Sequence, residues 1–176
     1  MLHVAFLRGM NLGKRRIKNP ELCAAFAAIG CEDVAAFLAS GNVVFRAQGK
    51  GAALAQRIAE GLEAQLGYPV PTFLRSAKEV RALAAAAPFE EPATPRGKLQ
   101  VAFLAEPASA AAKRVVRNLQ SDADWLTVDG RELYWWPQGG LSQSTLNLEA
   151  LERALGAFTI RTHATVQRLT AKYLAD

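Results

Sequence analysis

Acidic residues are missing from the first eighteen positions of this chain, and several other things are scarce along its length. There are two cysteines, Cys23 and Cys31, and two histidines, His3 and His163, in 176 residues. A secreted scaffold stapled by disulfides would carry more cysteine, so the pair points to a reducing compartment. Cys23 falls on the apolar side of an expected helix and Cys31 follows the glycine that ends it, which suits small buried hydrophobes. With the histidines far from both cysteines in sequence, no metal-ligand cluster is expected, and none is assigned.

No apolar run reaches the roughly 18 residues that would cross a bilayer. The chain opens directly on the apolar segment Leu2 to Leu7, without a basic leader. A cytoplasmic protein with no membrane partner is therefore expected. Hydrophobic residues make up 51% and charged residues 21%, which rules out a disordered or low-complexity chain.

The net charge of +5 is local. Arg8, Lys14, Arg15, Arg16 and Lys18 are unopposed by any acid in the first eighteen residues, and the rest of the chain carries 16 basic and 16 acidic residues. Such a patch attracts phosphates, carboxylates or nucleic acid.

Element by element, Leu2 to Leu7 reads as a strand and Asn19 with Pro20 as a helix start. Asn19 serves as cap, and proline sits where its missing donor costs nothing. Val34 to Leu38 and Val43 to Phe45 are strands joined through Ser40, Gly41 and Asn42. Leu54, Ile58, Leu62 and Leu66 mark a helix by their i+4 spacing. Pro71 lies inside the next expected strand, Val70 to Leu74, so that strand belongs at a sheet edge. Ser76 and Glu79 have capping-box spacing and start a linking helix.

The order then repeats. Leu99 to Leu104 is a strand and Pro107 opens a helix. Trp125 to Val128 and Glu132 to Trp136 form a hairpin around Asp129 and Gly130, a pair suited to a type I′ turn. A helix carrying Leu148, Leu151 and Leu155, a short strand from Phe158 to Arg161 and a helix capped by Thr162 complete the chain. The expected architecture is α+β: two tandem ferredoxin-like (βαββαβ) subdomains with an extra linking helix and a C-terminal helix. The expected boundaries are 1–87, a linker at 88–97, and 98–176. Element order, and no residue-level repeat, carries the duplication.

Four motifs resemble a known family: Phe6-Leu7-Arg8-Gly9-Met10-Asn11-Leu12-Gly13, Ser40-Gly41-Asn42-Val43-Val44-Phe45, Val101-Ala102-Phe103-Leu104, and Thr159-Ile160-Arg161-Thr162-His163-Ala164-Thr165-Val166. In this order they resemble the bacterial family catalogued as domain of unknown function 1697, over nearly the whole chain. The resemblance implies a bacterial cytoplasmic protein with two ferredoxin-like subdomains, and it transfers no activity, cofactor or catalytic residue. Two departures stand out. Lys14 replaces a frequent second glycine, and Thr162, His163 and Ala164 stand where Asn, Trp and Asn are typical.

The segment from Gly9 to Arg15 invites comparison with a phosphate-binding P-loop and fails it. Three residues separate the glycines where four are needed, and arginine follows the lysine where a metal-binding hydroxyl belongs. What remains is a cationic strand-end loop suited to a carboxylate or phosphate. Arg161, Thr162 and His163 lie at an expected helix entry that also favours an anion. The expected ligand-binding set is therefore Arg8, Asn11, Lys14, Arg15, Arg16, Ser40, Asn42, Arg161, Thr162 and His163, converging on one anionic small molecule, with nucleotide-like compounds included. Two alternatives stand beside it. One is RNA or single-stranded nucleic-acid binding, with Tyr134 and Trp136 on one face of a strand and Trp135 on the other. The other is an enzyme acting on a phosphorylated substrate, although no Ser/His/Asp grouping is present. No cofactor is assigned, and the sequence is silent on oligomeric state.

Overall fold

The computed structural model describes residues 1–90 and 96–175. Two compact units divide the chain: unit 1 comprises Met1–Ala82 with Leu169–Asp176, and unit 2 comprises Leu83–Arg168. Of the expected linker at 88–97, residues 91–95 lie outside the described residues.

Unit 1 runs β1 (Leu2–Leu7), α1 (Asn19–Ala28), β2 (Glu32–Phe37), β3 (Asn42–Arg46), α2 (Gly51–Leu66), β4 (Thr72–Ser76), and then α3 (Ala77–Ala85), which continues past Ala82. Its four strands are antiparallel in the order β2-β3-β1-β4. Successive side chains of a strand point to opposite faces. Ala5 and Leu7 of β1 join Val43 and Phe45 of β3 beneath Leu22 and Phe26 of α1 and Leu54, Ile58 and Leu62 of α2 in one core. Each of these large side chains contributes about 1.5–3 kcal/mol by leaving water. Pro71 precedes β4 instead of lying within it, and β4 is an edge strand.

Unit 2 runs β5 (Gln100–Leu104), α4 (Ala110–Leu119), β6 (Asp124–Asp129), β7 (Glu132–Pro137), a 3-10 turn (Leu141–Gln143), α5 (Leu148–Leu155) and β8 (Phe158–Thr162), followed by α6 (His163–Tyr173). The strand order is β6-β7-β5-β8, again antiparallel. Trp135 lies in the core with Leu104, Leu126, Val116 and Leu151. Its indole N–H donates to the buried Asp124 carboxylate at 2.7 Å, and Ser144 donates to the same oxygen at 2.7 Å. A tryptophan is thus buried with its one polar atom satisfied.

Both sheets follow the βαββαβ order with β1 or β5 at the centre, as the sequence predicts. The strand registers show more than shared order. In unit 1 Val4 pairs with both Val44 and Arg75, and in unit 2 Val101 pairs with both Tyr134 and Arg161. Superposing those registers lays Leu2-His3-Val4-Ala5-Phe6-Leu7 on Leu99-Gln100-Val101-Ala102-Phe103-Leu104, identical at five of six positions. It also lays Leu74-Arg75-Ser76 on Ile160-Arg161-Thr162, each ahead of a helix. The expectation of duplication without residue-level repetition is therefore corrected, because the repeat resides in the strands and is interrupted by loops of unequal length.

Several local expectations also change. Lys18, not Asn19, is the cap of α1, and Glu21 reaches back to accept its backbone N–H at 2.8 Å. Ser109, not Pro107, begins α4, its hydroxyl accepting from Ala112 N–H at 3.1 Å. The second hairpin pairs Asp129 with Glu132, so its turn is Gly130-Arg131. Positive φ falls at the first central position alone, Gly130 at 56°, which is the requirement of a type II′ turn and not of I′. The Ser76–Glu79 capping box forms as expected, with Ser76 N–H donating to Glu79 Oε2 at 2.7 Å and Glu79 N–H to Ser76 Oγ at 3.3 Å.

Candidate functional site

The connection after β1 is built as a fixed structure. Leu7 N–H donates to the Gly41 carbonyl at 2.8 Å and Arg8 N–H to the Pro71 carbonyl at 3.0 Å, so the end of β1 is held from both sides. Met10 then turns inward, 3% exposed. Asn11 clamps the loop to the first hairpin, its amide donating to the Ala39 carbonyl at 2.6 Å while its Oδ1 accepts from Ile17 N–H at 3.5 Å.

Arg16 closes the ring from within. One terminal nitrogen donates to the carbonyls of Asn11, Gly13 and Arg15 at 3.1, 3.0 and 2.7 Å. Charge here organises the backbone. Arg15 lies with its guanidinium 4.2 Å from the Tyr68 ring centroid, a cation–π pairing that fixes its stem. Lys14 stands exposed at the tip beside Leu12, which is 66% exposed.

The two hairpin residues of the expected set serve the turn. Asn42 is fully buried and its amide donates to the Phe37 carbonyl and to Ser40 Oγ, both at 2.9 Å. Between them Gly41, at φ 75°, comes so near the loop that an added Cβ would stand 2.9 Å from Met10 Cγ and 3.0 Å from Leu7 Cβ. The first two sequence motifs therefore pack on each other, which joins Arg8, Asn11, Lys14, Arg15, Arg16, Ser40 and Asn42 in one region of unit 1.

The remaining three expected residues belong to unit 2 and are engaged in its framework. Arg161 is 8% exposed and donates to Thr159 Oγ1 and the Ile160 carbonyl, both at 2.8 Å. Burial lowers its pKa to about 10, which leaves it charged at neutral pH. Thr162 caps α6, accepting from Thr165 N–H at 3.1 Å. The His163 ring is buried, its Nε2 2.8 Å from the Leu83 carbonyl.

Two features escaped the sequence reading. Arg75, 1% exposed, occupies in unit 1 the register position that Arg161 holds in unit 2, and it donates to its neighbour's carbonyl, Leu74 O, at 2.9 Å. The shared Leu/Ile-Arg-Ser/Thr string before a capped helix was the available signal. The second is an open groove of about 510 Å³ beside the loop, lined among others by Arg16, Ile17, Glu21, Ala24, Gln65 and Tyr68. It falls between the middle of α1 and the end of α2, a juxtaposition that no sequence motif marks.

Tyr134 and Trp135 are 4% and 5% exposed, and Trp136 packs edge-on against Trp125 at 6.3 Å. Among the described residues no group of three or more His, Cys, Asp or Glu side chains is placed to hold a metal ion, and no helix is long and apolar enough to cross a membrane.

Two antiparallel sheets of order 4-1-3-2, each with its own helices, define an α+β protein of tandem ferredoxin-like type. The chain belongs to the family described as protein of unknown function (DUF1697), whose model matches residues 1–134. Among solved structures it is similar to a conserved bacterial protein from Streptococcus pneumoniae, at 19% identity and a TM-score of 0.71 over 99% of this chain and 98% of that one. That likeness is one of fold. No curated protein matches the sequence.

Proposed function

We propose that this is a cytoplasmic protein that binds a small anionic ligand, bearing phosphate or carboxylate, at the loop of residues 8–18. The observation that carries the proposal is a comparison internal to the chain. Unit 2 joins its first strand to its first helix with five residues, 105–109, whereas unit 1 uses eleven, 8–18. Typical βα connections take about 2–6 residues. The fold therefore does not ask for the longer loop, and that loop as a whole carries five cations and no acid.

Asn11 and Arg16 are the positioning residues, since their bonds hold the loop backbone. Lys14 and Arg15 are the contact residues, joined by the nitrogens of Arg16 that the loop carbonyls leave unused, with Arg8 at the root of the loop. A buried Tyr134 gives no surface for base stacking, so the small-ligand reading is preferred to a nucleic-acid one.

Calorimetry and thermal shift with sodium phosphate, citrate and poly(U) test it. A ligand at about a hundred times its dissociation constant adds about 2.7 kcal/mol of stability. Phosphate or citrate should stabilise the wild-type chain and fail to stabilise the double variant Lys14→Ala/Arg15→Ala. Stabilisation that survives the double variant, or binding confined to poly(U) with a steep salt dependence, would refute the proposal.

A further inference from the structure

The groove beside the loop has a polarity that the loop lacks. Arg16 lines it, and its second terminal nitrogen and Nε make no hydrogen bond among the described residues; Tyr68 lines it too, with the Arg15 guanidinium stacked on its ring. The same groove is lined by Glu21, whose Oε2 accepts the Lys18 N–H while Oε1 is left for another donor. Gln65 and Leu66 bring the last turn of α2 to its wall. The C-terminal carbonyls of a helix carry partial negative charge, and α2 has no basic residue in its last turn to offset it. The floor is apolar and open because α1 presents alanine at positions 24 and 25, where larger side chains would fill the space.

A pure anion would use Arg16 and be repelled by Glu21 and the end of α2. We infer that the ligand of the loop is bipolar, an anion that also bears an amino group, with its phosphate or carboxylate at Arg15 and Arg16, its amine at Glu21, and its carbon body over Ala24 and Ala25. The inference rests on the anion-binding reading of the loop and adds the substrate class: amino-bearing phosphates or carboxylates, from amino-acid size upward. At about 510 Å³ the groove lies within the range of small-ligand sites, about 300–1,000 Å³.

The test uses the full chain and two compounds that differ only in this group, O-phosphoserine and 3-phosphoglycerate, with inorganic phosphate as reference. An exposed ion pair contributes up to about 1 kcal/mol, so phosphoserine should bind up to about fivefold more tightly at low salt. Glu21→Gln should erase that preference and leave α1 intact, because glutamine can still accept the Lys18 N–H as the capping box requires. Ala24→Trp, a substitution at an exposed helical position, should block phosphoserine while inorganic phosphate still binds. Equal binding of the two compounds, a preference that survives Glu21→Gln, or phosphoserine binding that survives Ala24→Trp overturns the inference and leaves the loop as an anion site. If neither compound nor phosphate binds the wild-type chain, the loop reading falls and this one with it.

Discussion

Replacing Gly41 by alanine tests the claim that the hairpin turn and the basic loop form one packed structure. The backbone at Gly41 has φ 75°, and placing a side chain in the left-handed region costs roughly 1–2 kcal/mol. The new methyl would also meet Met10 Cγ at 2.9 Å and Leu7 Cβ at 3.0 Å. The methionine chain can swing aside, but Leu7 Cβ is fixed by a strand whose end is bonded to Gly41 itself. Overpacking of this kind costs about 1–3 kcal/mol, for a combined loss of about 2–5 kcal/mol. Gly13→Ala is the control, since φ there is 59° and nothing stands within 4 Å of an added Cβ. It should cost only the roughly 1–2 kcal/mol of conformational strain. Urea denaturation of both variants measures the difference, and Gly41→Ala in a Met10→Ala background should recover part of the loss. If Gly41→Ala costs no more than Gly13→Ala, the packing of the two motifs is not what constrains that glycine.

Three further outcomes follow from individual polar side chains. Burial, and secondarily the positive N-terminus, holds the His3 imidazole below its ordinary 6.5. The unfolded chain then binds a proton before the folded one, so the contribution of His3 to stability is complete above about pH 6.5 and declines as pH falls from there toward the folded pKa. His3→Gln, which copies the equivalent Gln100 of unit 2, should flatten stability between pH 7 and about 5.5 in urea titrations, and an unchanged slope would contradict this assignment. Asp124→Ala should cost roughly 3 kcal/mol or more by orphaning the Trp135 indole N–H and the Ser144 hydroxyl, a loss that equilibrium unfolding would record. Ser76→Ala and Thr162→Ala, equivalent caps of α3 and α6, should each cost about 1 kcal/mol, and strongly unequal values would argue against their equivalence.

Much of the fold was legible because its signals are local. The i+4 apolar residues of α2, the Ser76–Glu79 box and the apolar run of β1 each depend on residues close in sequence, and each formed where expected. The misassigned starts of α1 and α4 were errors of a residue or more at a cap, where Asn19 and Pro107 offered suitable chemistry but the neighbouring backbone took the position. The second hairpin slipped by one residue because Asp129 pairs within the ladder, leaving glycine first in the turn. The site was harder to read, because a cation in sequence says nothing of its employment. Arg16 turned inward to the loop carbonyls, Arg161 is buried with Thr159, and Asn42 serves its own turn, while Lys14 and Arg15 remain at the surface. None of these fates follows from residue type, since each depends on a partner brought by the tertiary fold.

The internal repeat makes the chain its own reference for separating what the fold requires from what has been added. Wherever the two units share residues, as in Leu2–Leu7 and Leu99–Leu104 or at Arg75 and Arg161, the common demand is that of the sheet and its edge strand. Wherever they differ in length, the shorter copy shows that the connection can be made with less. Unit 1 extends the link from first strand to first helix, while unit 2 extends the one from third strand to second helix, using residues 138–147 where unit 1 uses 47–50. The second extension spends its polar groups inward, Ser144 on Asp124 and Leu146 N–H on Ser144 Oγ, so its length is accounted for by burying a carboxylate under Trp135. The first has an internal clasp in Asn11 and Arg16 as well, yet it still presents Lys14 and Arg15 outward after that clasp is made. That surplus distinguishes the two insertions, and it is why the proposed anion site is placed at the loop of unit 1 and not at that of unit 2.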